Sequence, residues 1–197
     1  SLVSSFVHKL GPQQDWALAR SEHKWFASGG NSYSTVGVRQ IRFDMTSSSS
    51  HFLDPLSCVL QFRIVNDGFA SGNVDTNIHM AASAHAFFRR LRITVGGVVC
   101  SDEDYVNRLA RMYYEFIPQA KKDNLTILSG DTGTVIGQSK VFAVPIFAPL
   151  FQQDKYLPLN VMSTSISYEL VDQASDVMLK TSDLPAGVSA QSNAWHL

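Results

Sequence analysis

The chain has 197 residues, 45% hydrophobic and 11% aromatic, enough for one domain that buries about 70% of its unfolded surface, which excludes wholesale disorder. Sixteen Lys and Arg against 17 Asp and Glu leave a formal charge of -1, so the broad cationic field of a nucleic-acid-condensing protein is excluded and any such contact has to be local. Charged residues, at 17%, fall below the roughly 25% usual in soluble domains, the balance expected where much of the surface meets a partner.

Residues 1–35 show no sustained period and carry Gly11-Pro12, Gly29-Gly30-Asn31 and scattered aromatics. They are expected to form an N-terminal arm, with Trp16, Trp25 and Phe26 as anchors on a neighbouring subunit, because aromatic side chains bury large areas with few rotors to freeze. Residues 36–197 then make up the domain. Val36 and Val38, followed by a one-residue slip to Ile41, Phe43 and Met45, predict a strand with a bulge. After Asp54-Pro55, residues Cys58, Leu60, Phe62 and Ile64 alternate with Val59, Gln61, Arg63 and Val65 until Asn66-Asp67-Gly68 ends the clearest strand of the chain. Thr76 or Asn77 is placed to cap a short helix through Met80, Ala81, Ala84 and Phe88. Leu91, Ile93 and Val95 face one way and Arg90, Arg92 and Thr94 the other, and Gly96-Gly97 predicts a two-residue hairpin turn.

Ser101 with Asp104 reads as a capping box for a helix running to Ile117. Its stripe of Tyr105, Leu109, Met112 and Phe116 is expected to be buried, on the flank of the domain or under a neighbouring subunit. Beyond Pro118, strands are predicted at Leu125 to Leu128, Thr134 to Ile136, Val141 to Phe147, Ser163 to Val171 and Val177 to Lys180. About eight antiparallel strands with one or two short helices in the connections predict an all-β fold, a jelly-roll β-sandwich. An immunoglobulin-like sandwich, whose Cys, Trp, Cys spacing is missing, and a closed barrel rank behind it.

Few residues carry chemistry. Cys58 and Cys100 are too few for a disulfide framework and read as free thiols. Asp131-Thr132-Gly133 is the triplet in which aspartic proteases place their carboxylate, but Ser129-Gly130 before it reads as a tight turn. His79 and His85 lie six residues apart and do not share a helix face as a metal pair would, so neither metal nor cofactor is expected. No nucleophile elbow, P-loop or dinucleotide fingerprint is present, and no enzyme is expected. No run approaches the roughly 18 apolar residues that span a bilayer, and the first residues lack the order of a secretory leader. Arg89, Arg90 and Arg92 with Arg108 and Arg111 form the densest positive group. They read either as a contact for nucleic acid or a neighbouring subunit, or as a solvated face paired with Asp102, Glu103, Asp104 or Glu115.

From about Val36 to Val171 the order of segments resembles the jelly-roll major capsid proteins of icosahedral viruses, particularly the double-jelly-roll group of polinton-like and large eukaryotic DNA viruses. The segments are LSCVLQFRIVNDG, the short helix with AFFRRLRITVGGVV, the acidic capped helix SDEDYVNRLARMYYEF, and VFAVPIFAPLFQQDKYLPLNVMSTSISYELV. The resemblance implies a structural protein without catalytic residues or cofactor, whose subunits associate with one another, commonly as trimers, and tile a shell around the genome. It further implies residence in the virion, assembly inside the host cell, and contacts with penton or minor capsid proteins and with encapsidated nucleic acid. Double-jelly-roll proteins carry two such domains, whereas this chain has material for one, a single jelly roll or one half of a longer subunit. A jelly-roll carbohydrate- or ligand-binding module and a DTG-type aspartic protease are the alternative readings.

Overall fold

The structure, a computed structural model, describes residues 20–47, 51–67, 78–80, 83–118, 122, 135–136, 139–172, 178–181 and 195–197. In chain order these form strands β1 (Gln40–Met45), β2 (Phe52–Leu53), β3 (Val59–Asn66), β4 (Ile78–Met80), β5 (Phe88–Val95) and β6 (Val98–Asp104). Helix α1 (Val106–Phe116) follows, then β7 (Val135–Ile136), β8 (Ser139–Pro145), β9 (Leu157–Pro158), β10 (Thr164–Leu170), β11 (Leu179–Thr181) and β12 (Trp195–His196).

Alternation along the strands dictates two opposed faces. On β10, Thr164, Ile166, Tyr168 and Leu170 are buried, while Ser165, Ser167 and Glu169 point to the other side. β10 lies between β1 and β5, and β6 closes the sheet as β1-β10-β5-β6, every pair antiparallel. The second sheet runs β12-β3-β8, with smaller pairings β11-β4-β7 and β2-β9. Ile41, Leu91, Ile93, Ile166 and Tyr168 from the first sheet share one core with Leu60, Ile64, Phe142 and Val144 from the second. Aromatic rings bridge them: Phe62 meets Phe88 edge-on at 5.1 Å, and Phe88 meets Tyr168 at 4.9 Å. The β5–β6 turn has positive φ at both Gly96 (56°) and Gly97 (84°), the backbone that a two-residue hairpin demands and that glycine adopts without strain. The expected all-β sandwich is thus the observed architecture, with α1 the one α-helix longer than a turn among the described residues.

Local expectations fail where a longer-range pairing wins. The helix expected through Met80 to Phe88 is instead strand β4, with Ile78 and Met80 buried on one face, followed by a single 3-10 turn at Ala84–Phe87. That turn ends because Phe88 enters β5 and the core. The acidic helix begins at Val106 rather than near Ser101, since Ser101 to Asp104 pair with β5 as the end of β6. Tyr105 takes the cap position in the left-handed region, φ 58°. The buried face of α1 is Val106, Asn107 and Ala110, which corrects the expected stripe: Leu109, Met112 and Phe116 are 40%, 61% and 83% exposed. Val36 and Val38 are also exposed and precede β1, in a bend where Ser34 Oγ accepts from the Gly37 amide at 3.0 Å. Residues 20–35 lie against the chain's own sandwich: Trp25 packs on the core, and the Tyr33 amide and carbonyl bond to those of Leu197 at 3.0 and 2.8 Å. Trp16, Leu125 to Leu128 and Asp131-Thr132-Gly133 lie outside the described residues.

Tyr168 is buried with a hydroxyl that finds no hydrogen-bond partner among the described residues. An unsatisfied buried hydroxyl costs about 1–3 kcal/mol. Tyr168→Phe keeps the ring against Phe88 and is expected to raise stability by about 1 kcal/mol in urea unfolding; a loss of stability would mean that the hydroxyl has a partner.

Candidate interaction surfaces

Cross-strand register decides what the arginines do. β5 sets Arg92 opposite Asp102 and Arg90 opposite Asp104, all on the outer face of the first sheet. Arg90 donates through Nε and Nη2 to the two oxygens of Asp102, both at 2.7 Å. Arg92 reaches Asp102 Oδ2 at 3.1 and 2.8 Å. These bonds, from Arg90 and then Arg92, hold the Asp102 carboxyl well below the usual carboxylate range. Arg89 donates to Asp104 at 3.2 Å and to Asp172, which also accepts from Arg39 at 2.6 Å. The three strand arginines are therefore engaged by carboxylates of their own sheet. Arg108 stands apart on α1, its guanidinium 4.6 Å from the Tyr105 ring centre, with Arg89 at 5.4 Å from the same ring. Arg111 is exposed on the helix.

Two depressions mark this sheet face. One, of about 40 Å³, lies between Gln40, Arg90, Arg92, Ser167 and Glu169. The other, of about 270 Å³, lies between Arg42, Asp44, Thr94 and Ser163 to Ser165. Both are open and fall short of the roughly 300–1,000 Å³ of small-molecule sites.

His85 is fully buried. The Pro145 carbonyl can only accept, so Nε2 donates to it at 2.9 Å, which leaves Nδ1 to accept from the Ser83 hydroxyl at 2.7 Å. Burial pushes the imidazole down to about 4, against the opposing effect of the Pro145 bond. His85 is thereby a neutral pin that ties the 3-10 turn to the end of β8, with Tyr114 of α1 and Phe147 as ring neighbours at 6.4 and 6.1 Å. Nothing in the sequence distinguished it from His79. No group of three or more His, Cys, Asp or Glu is gathered for a metal among the described residues. Cys58 and Cys100 are free thiols; burial, and then Asp54, push the Cys58 thiol up to about 11. No described helix is long and apolar enough to cross a membrane.

The exposed apolar side chains are the remaining feature. Many are scattered singly over the described residues, but one set lies together on α1 and its cap, where Tyr105, Leu109, Met112, Tyr113 and Phe116 are all open to solvent. Phe26, at 83% exposure, is the most open aromatic of the N-terminal segment among the described residues.

The antiparallel sheets packed around one core make an all-β sandwich of the jelly-roll kind. No protein-family model matches the chain, and none of the curated proteins does. Among solved structures it is similar to PBCV-1 VP54, as fitted into a cryo-EM reconstruction of the virophage Sputnik, with a TM-score of 0.51 and 14% identity. That likeness covers 91% of this chain and 43% of VP54. A quasi-atomic model of the PBCV-1 virus capsid aligns at TM-score 0.49 with 14% identity, over 91% of this chain and 42% of that one, too slight a likeness to fix a fold by itself. At such identity the likeness is one of fold: the chain has the jelly-roll fold of VP54, and it spans less than half the length of the chains it matches.

Proposed function

We propose that the chain is a structural subunit, or part of one, of an icosahedral viral capsid, with an assembling rather than a catalytic role. The observation that carries this reading is the sandwich itself, similar over 91% of the chain to a protein fitted into a virus-particle reconstruction. Copies associate, first as trimers, and tile a shell around the genome in the virion, with assembly inside the host cell and penton or minor capsid proteins as further neighbours. Trp16, Trp25 and Phe26 are the arm aromatics put forward for a neighbour; of the two among the described residues, Phe26 has the open ring. Of the arginines, Arg108 and Arg111 are the candidates for nucleic-acid or inter-subunit contact, because Arg89, Arg90 and Arg92 are engaged by acids. A ligand-binding reading has only the two shallow depressions to stand on.

Light scattering and negative-stain microscopy of the purified chain test the proposal together. Discrete oligomers at micromolar concentration, with trimers or curved assemblies among them, are the expected result. A strictly monomeric protein would overturn it.

A further inference from the structure

Helix α1 carries two apolar faces, and only one is used. Val106, Asn107 and Ala110 face the sandwich. Tyr105, Leu109, Met112 and Phe116 form a second stripe, at 45%, 40%, 61% and 83% exposure. Tyr105 heads that stripe in a left-handed conformation that disfavours any residue with a Cβ, with two guanidinium groups against its ring. Strain retained at an exposed aromatic points to function rather than folding. The composition, Tyr, Met, Phe and a flanking Arg, is that of an interface centre.

We propose that α1 is a contact across a two-fold axis between copies of this chain, with the two helices antiparallel; the contact rests on the self-association put forward above. The stripe spacing of four, three and four residues reads the same in both directions. An antiparallel copy therefore sets Tyr105 against Phe116 of the partner subunit and Leu109 against Met112 of the partner subunit, and the reverse. A two-fold contact requires such a self-complementary patch.

Charge selects the antiparallel arrangement. At 3.6 residues per turn, Arg108 and Glu115 fall on the same edge of the stripe, while Arg111 lies farther round, away from the stripe. Neither Arg108 nor Glu115 forms a salt bridge among the described residues. In an antiparallel pair like edges meet, so Arg108 approaches Glu115 of the partner subunit and Glu115 approaches Arg108 of the partner subunit. In a parallel pair that edge would instead meet the Tyr113 side of the other helix, with no charge to match.

The test uses the full chain carrying Cys100→Ser, which removes the exposed native thiol. Leu109→Cys and Met112→Cys proteins, one bearing a mass tag, are mixed and oxidised. In an equimolar mixture the mixed disulfide dimer is expected well above the twofold excess over each self-dimer that random pairing gives, because residue 109 meets residue 112 across the axis. Met112→Glu is expected to weaken association about tenfold or more by sedimentation and to leave the melting curve unchanged, since Met112 is mostly exposed. A mixed dimer at or below that statistical ratio, or no disulfide and an unaffected Met112→Glu in a protein that still assembles, would overturn this contact and leave the capsid reading standing. A parent chain that is monomeric at every concentration would remove both.

Discussion

Trp195→Ala is expected to lower the free energy of unfolding by about 3–5 kcal/mol, a large part of the roughly 5–15 kcal/mol that holds a domain of this kind folded. Trp195 is 2% exposed and meets the Phe87 ring edge-on at 4.9 Å. It also anchors β12, which pairs Trp195 with Asn66 and His196 with Val65 on β3. Leu197, the next residue, holds Tyr33 by two backbone bonds. Losing the indole therefore opens a cavity beneath Phe87 and loosens both β12 and the segment around Tyr33. His196→Ala is the matched control. Its contact with Asp67, 2.7 Å long, joins two partly exposed side chains, and such pairs contribute no more than about 1 kcal/mol. Urea unfolding followed by circular dichroism measures both; a Trp195→Ala loss below about 1 kcal/mol would show that β12 does not close the core.

Acid is expected to weaken the fold well before its carboxylates titrate. His85 sits folded at about 4 against 6.5 for the free imidazole. The folded state thus keeps it neutral while the unfolded state takes up a proton. The sign follows: its stabilising contribution is complete above pH 6.5 and is lost as the pH falls toward 4, by at most about 3 kcal/mol in all. Asp102, with its carboxyl held down by Arg90 and Arg92, acts in a lower window, below its ordinary 3.8, so the two effects separate on the pH axis. His85→Gln should unfold more readily at neutral pH and show a flatter stability curve between pH 6.5 and 4. An unchanged slope in that interval would assign the acid sensitivity to another group.

The strands that could be read from sequence were those whose alternation is set within one segment. β3 keeps Leu60 and Ile64 inside and Gln61 and Arg63 outside, and Gly96-Gly97 fixes the β5–β6 hairpin by backbone sterics alone. Residues Ile78 to Met80 read as helix because alanines follow them, yet β7 and β11 on either side recruit them as a strand. Ser101 and Asp104 carry the chemistry of a helix cap, but β5 offers Asp102 and Asp104 arginine partners and draws the segment into the sheet. The amphipathic period of the helix was legible and its buried side was not, because two apolar faces share one short helix and only the 3-10 turn and β5 packed against it choose between them. The pairing of the arginines rested on the same register, as did the isolation of Arg108 on the helix.

The position of β10 between β1 and β5 also has a consequence for synthesis. This inner strand of the first sheet is the last of its four to be translated, and the 69 residues that follow Val95 up to and including Thr164 take a ribosome about 3 to 14 seconds at 5–20 residues per second. During that interval the β5–β6 hairpin can form by itself, but β1 and the free edge of β5 have no native partner, and Ile41, Leu91 and Ile93 have no covered face. A nascent chain of this kind depends on a holding factor, or on fast completion, to avoid pairing edge to edge with its neighbours on the same message. Codons that slow translation between residues 96 and 163 would cost soluble yield without changing a single contact in the finished protein.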